Sequence, residues 1–73
     1  MAVPPKHRKA LGDAIRLYRK TSRLTHERLA ELANLHPNYI GEVERGETNI
    51  SVDALVRVAK ALRVRVRDLV ADV

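Results

Sequence analysis

The sequence contains no cysteine, no long apolar run and no low-complexity segment. Without cysteine, neither a disulfide nor a thiolate metal site can form. No apolar run approaches the roughly 20 residues that a membrane-spanning helix needs, and no signal-peptide core follows Met1. We therefore expect a protein that stays in the compartment where it is made, without membrane association.

Residue patterns typical of catalysis are also missing. The three histidines (His7, His26 and His36) are too scattered for a metal site at helical spacing, and no His-x-x-x-His pair occurs. The sequence has no glycine-rich loop of the kind that cradles phosphates. We therefore expect no enzyme activity, no metal and no cofactor. A chain this small also gives no indication of a separate pocket for a small-molecule ligand.

Length and charge favour a single basic domain. At 73 residues, a chain buries only about 60% of its extended surface and is marginal alone, so oligomerisation is the stabilising device that remains. Fourteen Lys and Arg residues against nine Asp and Glu residues leave a net charge of +5. Such a balance is expected of a protein that binds phosphate groups. The alternative is a basic surface that is merely solvated.

Residues 25–45 have the pattern of two short helices joined by a tight turn. Thr25 is a suitable N-cap, and Glu27 places a negative charge beside the positive end of the first helix. Spacings of three and four then put three apolar residues on one face: Leu29, Leu32 and Ala33. Asn34 follows, and Asn tolerates the left-handed backbone that often ends a helix.

The second helix of this pair begins at Pro37. Proline suits the first helical position because a missing N–H costs nothing there. Ile40 and Val43 form the buried side of this helix, and Gly46 ends it. The spacing therefore predicts a helix-turn-helix before any family is considered.

Three further helices are expected around this pair. A short flexible N-terminus, residues 1–5, precedes a first helix over residues 6–21, whose apolar positions are Leu11, Ile15 and Tyr18. Ser51 caps a fourth helix with the apolar stripe Leu55, Val58, Ala59 and Leu62. A short fifth helix is predicted over residues 66–71. We predict an all-α, compact five-helix domain over residues 6–71.

Two short segments allow a second interpretation. The basic cluster at residues 6–9 is either an arm that reaches phosphate or the frayed start of the first helix. Residues 63–67 alternate Arg and Val, which taken alone is typical of a strand with one solvated face. No partner strand is available, so we interpret this segment as a helix connection.

Three motifs, in this order, resemble the Cro and phage-repressor (XRE-like) helix-turn-helix family. They are Leu24-Thr25-x-Glu27-x-Leu29-Ala30, Asn38-Tyr39-Ile40-x-x-Val43-Glu44-Arg45-Gly46 and Leu55-x-x-Val58-Ala59-x-Ala61-Leu62-x-Val64. The chain is most similar to small controller proteins of restriction–modification systems and to short phage-type repressors. The resemblance implies a lambda-repressor-like fold and a cytoplasmic transcription regulator of bacterial or phage origin. It also implies that the protein binds double-stranded DNA as a homodimer on a pseudo-palindromic operator.

The resemblance implies DNA-binding roles for two sets of residues. The helix from Pro37 to Arg45 becomes the recognition helix in the major groove, and its base-contacting positions are His36, Pro37, Asn38 and Glu42. Asn38 can pair with adenine, and Glu42 can accept a hydrogen bond from the cytosine amine. Phosphate contacts are expected from His26, Tyr39, Arg45, Thr48 and Asn49.

Three of these residues have alternative roles. In the alternative to DNA contact, Glu42 is only a solvated surface charge, and the ring of Tyr39 packs against the core. His36 is otherwise only the N-cap of the helix that begins at Pro37.

Two further sets concern assembly of the fold and of the dimer. The resemblance implies a largely buried ion pair, Arg19 with Glu44, that ties the first helix to the recognition helix. Small size and surplus apolar residues in the C-terminal half indicate a dimer interface formed by Val52, Val56, Val66 and Val70, with Val73 as a further candidate. The alternative is that these valines complete the core of the monomer.

The chain departs from the family pattern at several positions. His26 stands where the family usually has a Gln that bridges a phosphate and the recognition helix. We expect His26 to contact phosphate more strongly when it is protonated, so that DNA binding strengthens as the pH falls. Arg28 replaces a common capping-box Glu, which weakens that cap. Arg63 and Arg65 replace the usual Gly and Ser, which changes the turn expected before the last helix.

A rival function is that of an antitoxin-type protein, which binds a toxin and uses this same domain to repress its own operon. Such proteins normally add a toxin-binding segment beyond the domain, whereas here the predicted domain fills residues 6–71. A second rival is a bridging or nucleoid-type module without an operator. The salt dependence and sequence selectivity of DNA binding distinguish these alternatives.

Overall fold

Five α-helices make up most of the chain in the computed structural model, which describes residues 3–73. They are α1 (Lys6–Thr21), α2 (His26–Ala33), α3 (Pro37–Glu44), α4 (Val52–Leu62) and α5 (Val66–Leu69). The described residues contain no strand, so the predicted all-α, five-helix fold is confirmed. The Cα radius of gyration of 11.0 Å is close to the value of roughly 11 Å expected for a compact chain of this length. Nowhere in residues 3–73 is a helix long and apolar enough to cross a membrane.

The predicted helix boundaries agree with the structure to within two residues. Helix α1 begins and ends as predicted, α3 ends at Glu44 rather than Arg45, and α5 ends at Leu69 rather than at residue 71. Of the predicted N-terminus, Met1 and Ala2 lie outside the described residues, and residues 3–5 have no regular secondary structure.

Local capping interactions place α2 and α3. The Thr25 hydroxyl accepts a hydrogen bond from the Arg28 backbone N–H at 3.0 Å, which satisfies one of the unpaired donors at the start of α2. Asn34 ends α2 in the left-handed region, at φ 56°. Pro37 occupies the first turn of α3. The predicted turn between the two helices is therefore present, and residues close in sequence produce it.

The core takes one fully buried large side chain from each helix. These residues are Ile15, Leu29, Ile40, Val58 and Leu69, each no more than 1% exposed. Burying a side chain of this size stabilises the fold by about 1.5–3 kcal/mol. Because every helix contributes to this cluster, even the four-residue α5 is held in place by packing rather than by its own helical stability.

One apolar residue of α2 is more exposed than the predicted face implies. Leu29 and Ala33 are buried, whereas Leu32 is 47% exposed. Helix α2 packs against α3 and α4, and this packing leaves Leu32 exposed. The three residues share one face by their spacing, but only Leu29 and Ala33 are buried on it.

Helix α4 ends at a left-handed residue that is not glycine. Arg63 has φ 59° and ψ 40°, and the Val64 N–H donates to the Ala59 carbonyl at 3.0 Å. An L-residue other than Gly usually avoids this region because its Cβ crowds the backbone. The chain nevertheless makes the turn that Gly would make, so residues 63–65 are a helix connection, as interpreted from the sequence.

Helices α1 and α3 approach each other closely at Gly12. A Cβ atom added to Gly12 would lie 2.4 Å from the Val43 carbonyl oxygen and 2.5 Å from the Glu44 carbonyl oxygen. No real Cβ tolerates backbone atoms at that distance, so only glycine permits this crossing. The close approach brings the C-terminal half of α3 against α1 and leaves its opposite side exposed.

Candidate nucleic-acid interface

The exposed side of α3 borders a shallow cleft. The cleft has a volume of about 290 Å³, and its lining residues come from α2, α3 and the end of α3: His26, Pro37, Asn38, Gly41, Glu42 and Arg45. We call it the α3 cleft. Asn38, Glu42 and Arg45 are exposed and Pro37 is half-buried. The structure thus brings together three of the four predicted base-contacting residues and two of the predicted phosphate-contacting residues.

His36 is the predicted base-contacting residue that does not line the α3 cleft. Its Nδ1 accepts a hydrogen bond from the Asn38 backbone N–H at 3.0 Å, so His36 is the N-cap of α3. Because Nδ1 accepts, the neutral ring carries its proton on Nε2. Nε2 is then the one ring nitrogen left for another partner, and the alternative N-cap role is present in the structure.

A buried ion pair joins α1 to α3. Arg19 donates from Nε to Glu44 Oε2 at 2.7 Å and from Nη2 to Glu44 Oε1 at 3.1 Å. Its Nη1 donates to the Leu24 carbonyl at 2.7 Å. Arg19 is 9% exposed and Glu44 is 5% exposed. This two-pronged geometry fixes the orientation of α3 relative to α1, because both guanidinium and carboxylate are planar.

His26 adds a third group to this pair. Its Nε2 lies 3.0 Å from Glu44 Oε1, and a carboxylate can only accept, so Nε2 carries the proton. Burial raises the pKa of the Glu44 carboxyl, but hydrogen bonds from Arg19 and then His26 outweigh burial and hold that pKa below its ordinary value. Glu44 is therefore ionised at neutral pH. His26 bridges α2 to α3 while its ring also lines the α3 cleft.

The remaining predicted phosphate-contacting residues lie around the end of α3 and the loop after it. Arg45 donates from Nε to Glu47 Oε2 at 2.8 Å, and this hydrogen bond lowers the pKa of the exposed Glu47 carboxyl. The Tyr39 hydroxyl donates to the Asn49 carbonyl at 3.1 Å, and its half-buried ring packs against the core. Thr48 and Asn49 border a different, smaller cavity of about 130 Å³ and not the α3 cleft.

The four predicted interface valines differ in exposure. Val52, at the start of α4, is 75% exposed, and Val56 is half-buried beside a shallow depression with Asp53 and Arg57. Val66 and Val70 are half-buried and pack against the core of their own chain. The monomer core therefore accounts for part of the surface of Val66 and Val70, and it does not account for Val52.

Two exposed residues of α1 did not stand out in the sequence. Leu17 is 63% exposed, although its apolar character favours burial. Arg16 lines a second cleft next to the α3 cleft. The position of Arg16, one helical turn before Arg19, was the only sequence signal for it, and that signal depends on knowing how α1 crosses α3.

Comparisons with known proteins agree with this geometry. A family model described as Helix-turn-helix (HTH_3) matches residues 15–69. Control protein C.SmaI of Serratia marcescens is 44% identical over 59 residues, which cover 81% of this chain and 70% of that protein.

Solved structures show the same fold. The restriction–modification controller protein C.AhdI from Aeromonas hydrophila superposes with a TM-score of 0.83 at 35% identity, covering 85% of this chain and 94% of that chain. The P22 c2 repressor, solved in complex with a synthetic operator, superposes with a TM-score of 0.78 at 27% identity, covering 82% of this chain and 91% of that chain.

Proposed function

The chain belongs to the helix-turn-helix (HTH_3) family of DNA-binding transcription regulators, and from that premise we propose that it binds a pseudo-palindromic operator as a homodimer. In this proposal, α3 lies in the major groove with its exposed side towards the base edges. Such a regulator acts where the DNA is, in the cytoplasm of a bacterial cell.

The observation that supports a base-reading role is the outward side of α3. Asn38 and Glu42 are exposed on it, and neither forms an ion pair or a side-chain hydrogen bond among residues 3–73. Asn presents a donor and an acceptor that match adenine, and Glu accepts from the cytosine amine. Each such pair discriminates against the wrong base by about 1–3 kcal/mol. Pro37 offers an apolar surface suited to a thymine methyl group.

Phosphate contacts in this proposal surround the base-reading side chains. His26 and Arg45 border the α3 cleft. Arg45 can donate to a phosphate oxygen from its Nη groups, and His26 can donate from Nδ1 when its ring is protonated. Tyr39, Thr48 and Asn49 contribute contacts from the loop side. These contacts carry no sequence information, and they fix the position of α3 on the duplex.

A homodimer is proposed because one eight-residue helix reads few base pairs. A two-fold dimer presents two copies of α3 to half-sites about 34 Å apart, one turn of DNA. The exposed Val52 on α4 supports an interface there, together with Val56 and the exposed parts of Val66 and Val70. A closed two-fold interface of this kind makes the operator symmetric.

The test is selection of bound sequences from a random pool of DNA duplexes, followed by gel shifts of the selected and a scrambled duplex across salt concentrations. We expect a palindromic consensus that is bound about 10³-fold or more above scrambled DNA. Equal, salt-sensitive binding to every sequence would contradict the proposal and favour the antitoxin-type or bridging alternative.

Two asparagine variants test whether Asn38 contacts a base. Asn38→Ala should lose the preference for one base pair in each half-site, a change of about 5- to 150-fold for a pair worth 1–3 kcal/mol. Asn49→Ala is the matched control, since a phosphate contact should affect selected and scrambled DNA alike. An unchanged consensus for Asn38→Ala would remove Asn38 from the base-contacting set.

A further inference from the structure

A second cleft lies beside the α3 cleft, between α1 and α3. Its volume is about 150 Å³, and its lining residues are Arg16, Arg19, His26, Gly41, Glu44 and Arg45. We call it the α1–α3 cleft. This volume exceeds the roughly 10–15 Å³ that one water requires, so the cleft has room for one small anion. Because both clefts are lined by His26, Gly41 and Arg45, they adjoin along one edge of α3.

Most of the charged groups that line the α1–α3 cleft already form ion pairs or hydrogen bonds within the protein. Glu44 accepts from Arg19 through both oxygens and is also bonded to His26. Arg45 is paired with Glu47, which lies in the loop after α3. The acidic residue that lines the cleft, Glu44, therefore already has cationic partners, and the nearest carboxylate without an ion pair, Glu42, lines the adjoining α3 cleft instead.

Arg16 is the exception among these groups. It is exposed, and no ion pair or side-chain hydrogen bond to it forms within the part of the chain that the structure describes. Its guanidinium therefore has all five donors available, and Arg16 lines the α1–α3 cleft. A planar guanidinium with free donors matches two oxygens of a phosphate group.

We propose that the α1–α3 cleft binds one phosphate of the DNA backbone, with Arg16 as the residue that donates to it. This inference rests on the proposed function, in which α3 occupies the major groove. Phosphates run along both edges of that groove, so a cationic cleft that adjoins the base-reading side chains faces one backbone. The contact positions the protein and carries no base preference.

The first experiment measures salt dependence with two variants of equal charge. Arg16→Gln removes the proposed contact, and Arg67→Gln removes an exposed arginine of α5 that is likewise outside any ion pair in residues 3–73. Each released phosphate contact changes the slope of log K against log salt by about 0.9. Raising the salt from 50 to 200 mM weakens the binding of each protein by a certain factor. For the wild type, this factor should be about 3.5 times larger than for Arg16→Gln.

The effect must be local to Arg16 and equal for all sequences. Arg16→Gln should weaken binding to selected and scrambled duplexes by the same factor, and Arg67→Gln should keep the wild-type slope. Equal slopes for Arg16→Gln and the wild type would overturn the proposal. Equal slope changes in both variants would also overturn it, because net charge alone would then explain them.

A second experiment locates the phosphate. Duplexes carry a single neutral methylphosphonate at each backbone position in turn. At one position in each half-site, neutralisation should weaken the wild type about 3- to 10-fold and leave Arg16→Gln unaffected, because the partner is already absent. A scan in which both proteins lose affinity at every position alike would overturn the proposal.

Failure of this inference is separable from failure of the proposed function. If the wild type selects a palindromic consensus but Arg16→Gln has no effect, the operator-reading function stands and the phosphate site is rejected. If the wild type shows no sequence preference but Arg16→Gln still has a smaller salt slope than the wild type, the operator is rejected and the phosphate site stands.

Discussion

The Arg19–Glu44 pair is a single interaction on which the orientation of α3 depends. Both side chains are buried, so removal of one charge leaves the other without a partner in a medium that does not solvate it. A buried ion pair as a whole contributes little compared with well-packed apolar residues, but breaking it from one side costs about 3–5 kcal/mol.

We predict that Glu44→Gln lowers the free energy of unfolding by about 3–5 kcal/mol, measured by urea denaturation. The double variant Arg19→Met/Glu44→Leu removes both charges and should recover most of that loss. If Glu44→Gln alone stays within about 1 kcal/mol of the wild type, the pair does not have the role assigned to it. The double variant also provides a folded protein should the single variant fail to fold.

The same carboxylate predicts how stability depends on pH. The pKa of Glu44 is lowered from 4.5 in the folded protein, so the folded state binds its proton less readily than the unfolded state does. Glu44 therefore contributes stability above about pH 4.5, and this contribution is lost as the pH falls through the lower folded value. The exposed Glu47 acts in the same direction.

We predict a steeper loss of stability in acid for the wild type than for Arg19→Met/Glu44→Leu, which lacks this carboxylate. Urea unfolding from pH 7 to pH 3 measures the slope. Parallel curves for the two proteins below about pH 4.5 would show that Glu44 does not titrate with a lowered pKa.

Helices α1 and α3 depend on a glycine where they cross. Replacing Gly12 by Ala places a methyl group on two backbone carbonyls of α3, and neither carbonyl can rotate away as a side chain can. At Gly41, by contrast, the nearest atom to an added Cβ is Arg45 Nη1 at 3.1 Å, the far end of a flexible side chain.

We predict opposite effects of the same substitution at these two glycines. Gly12→Ala should destabilise by about 1–3 kcal/mol because it overpacks the crossing. Gly41→Ala should stabilise by about 0.5–1 kcal/mol through better helix propensity, while it displaces the Arg45 guanidinium and weakens DNA binding. Thermal unfolding and gel shifts of both variants measure these effects. Destabilisation of equal size at both positions would contradict this account of the crossing.

Helix boundaries were predictable because the residues that set them are neighbours in sequence. Thr25, Asn34, Pro37 and Ser51 each act on backbone groups within a few positions. The exposure of Leu32 was not predictable in this way, because periodicity shows which residues share a face and not how far the neighbouring helices cover it.

The candidate site was predictable in part for the same reason. The outward side of α3 follows from helical periodicity, and the resemblance pointed to Arg19 with Glu44. The bond from His26 to Glu44, which are 18 positions apart, and the place of Arg16 beside α3 depend on the angle between helices. No local pattern encodes that angle, and the Gly12 crossing that produces it is a tertiary contact.

Among the exposed apolar residues of the described chain, the two most exposed that lie on helices compete as sites of self-association. Val52 on α4 belongs to the proposed interface, and Leu17 on α1 does not; they are 75% and 63% exposed. Both are surface positions, so a charged side chain at either one is compatible with the folded monomer. Glu at position 52 also suits the positive N-terminal end of α4.

We predict that Val52→Glu raises the dimer dissociation constant at least about 10-fold, since burying a valine in an interface contributes about 1.5–3 kcal/mol per copy. Sedimentation equilibrium over a range of protein concentrations measures it. Leu17→Glu is the matched control and should behave as the wild type. Dissociation by Leu17→Glu and not by Val52→Glu would place the interface on α1 instead.

The two sides of α3 have different tasks, and this has a consequence for how such proteins diverge. One side of α3 is buried and attaches the helix to the core through Ile40, Val43 and Glu44. The other side carries Asn38 and Glu42, which are exposed and do not pack in the core. Substitutions at the outward positions should therefore change the free energy of unfolding very little. Under the proposed function, a lineage would retarget to a new operator by exchanging these two side chains, and an engineer would reprogram the same scaffold by the same exchange.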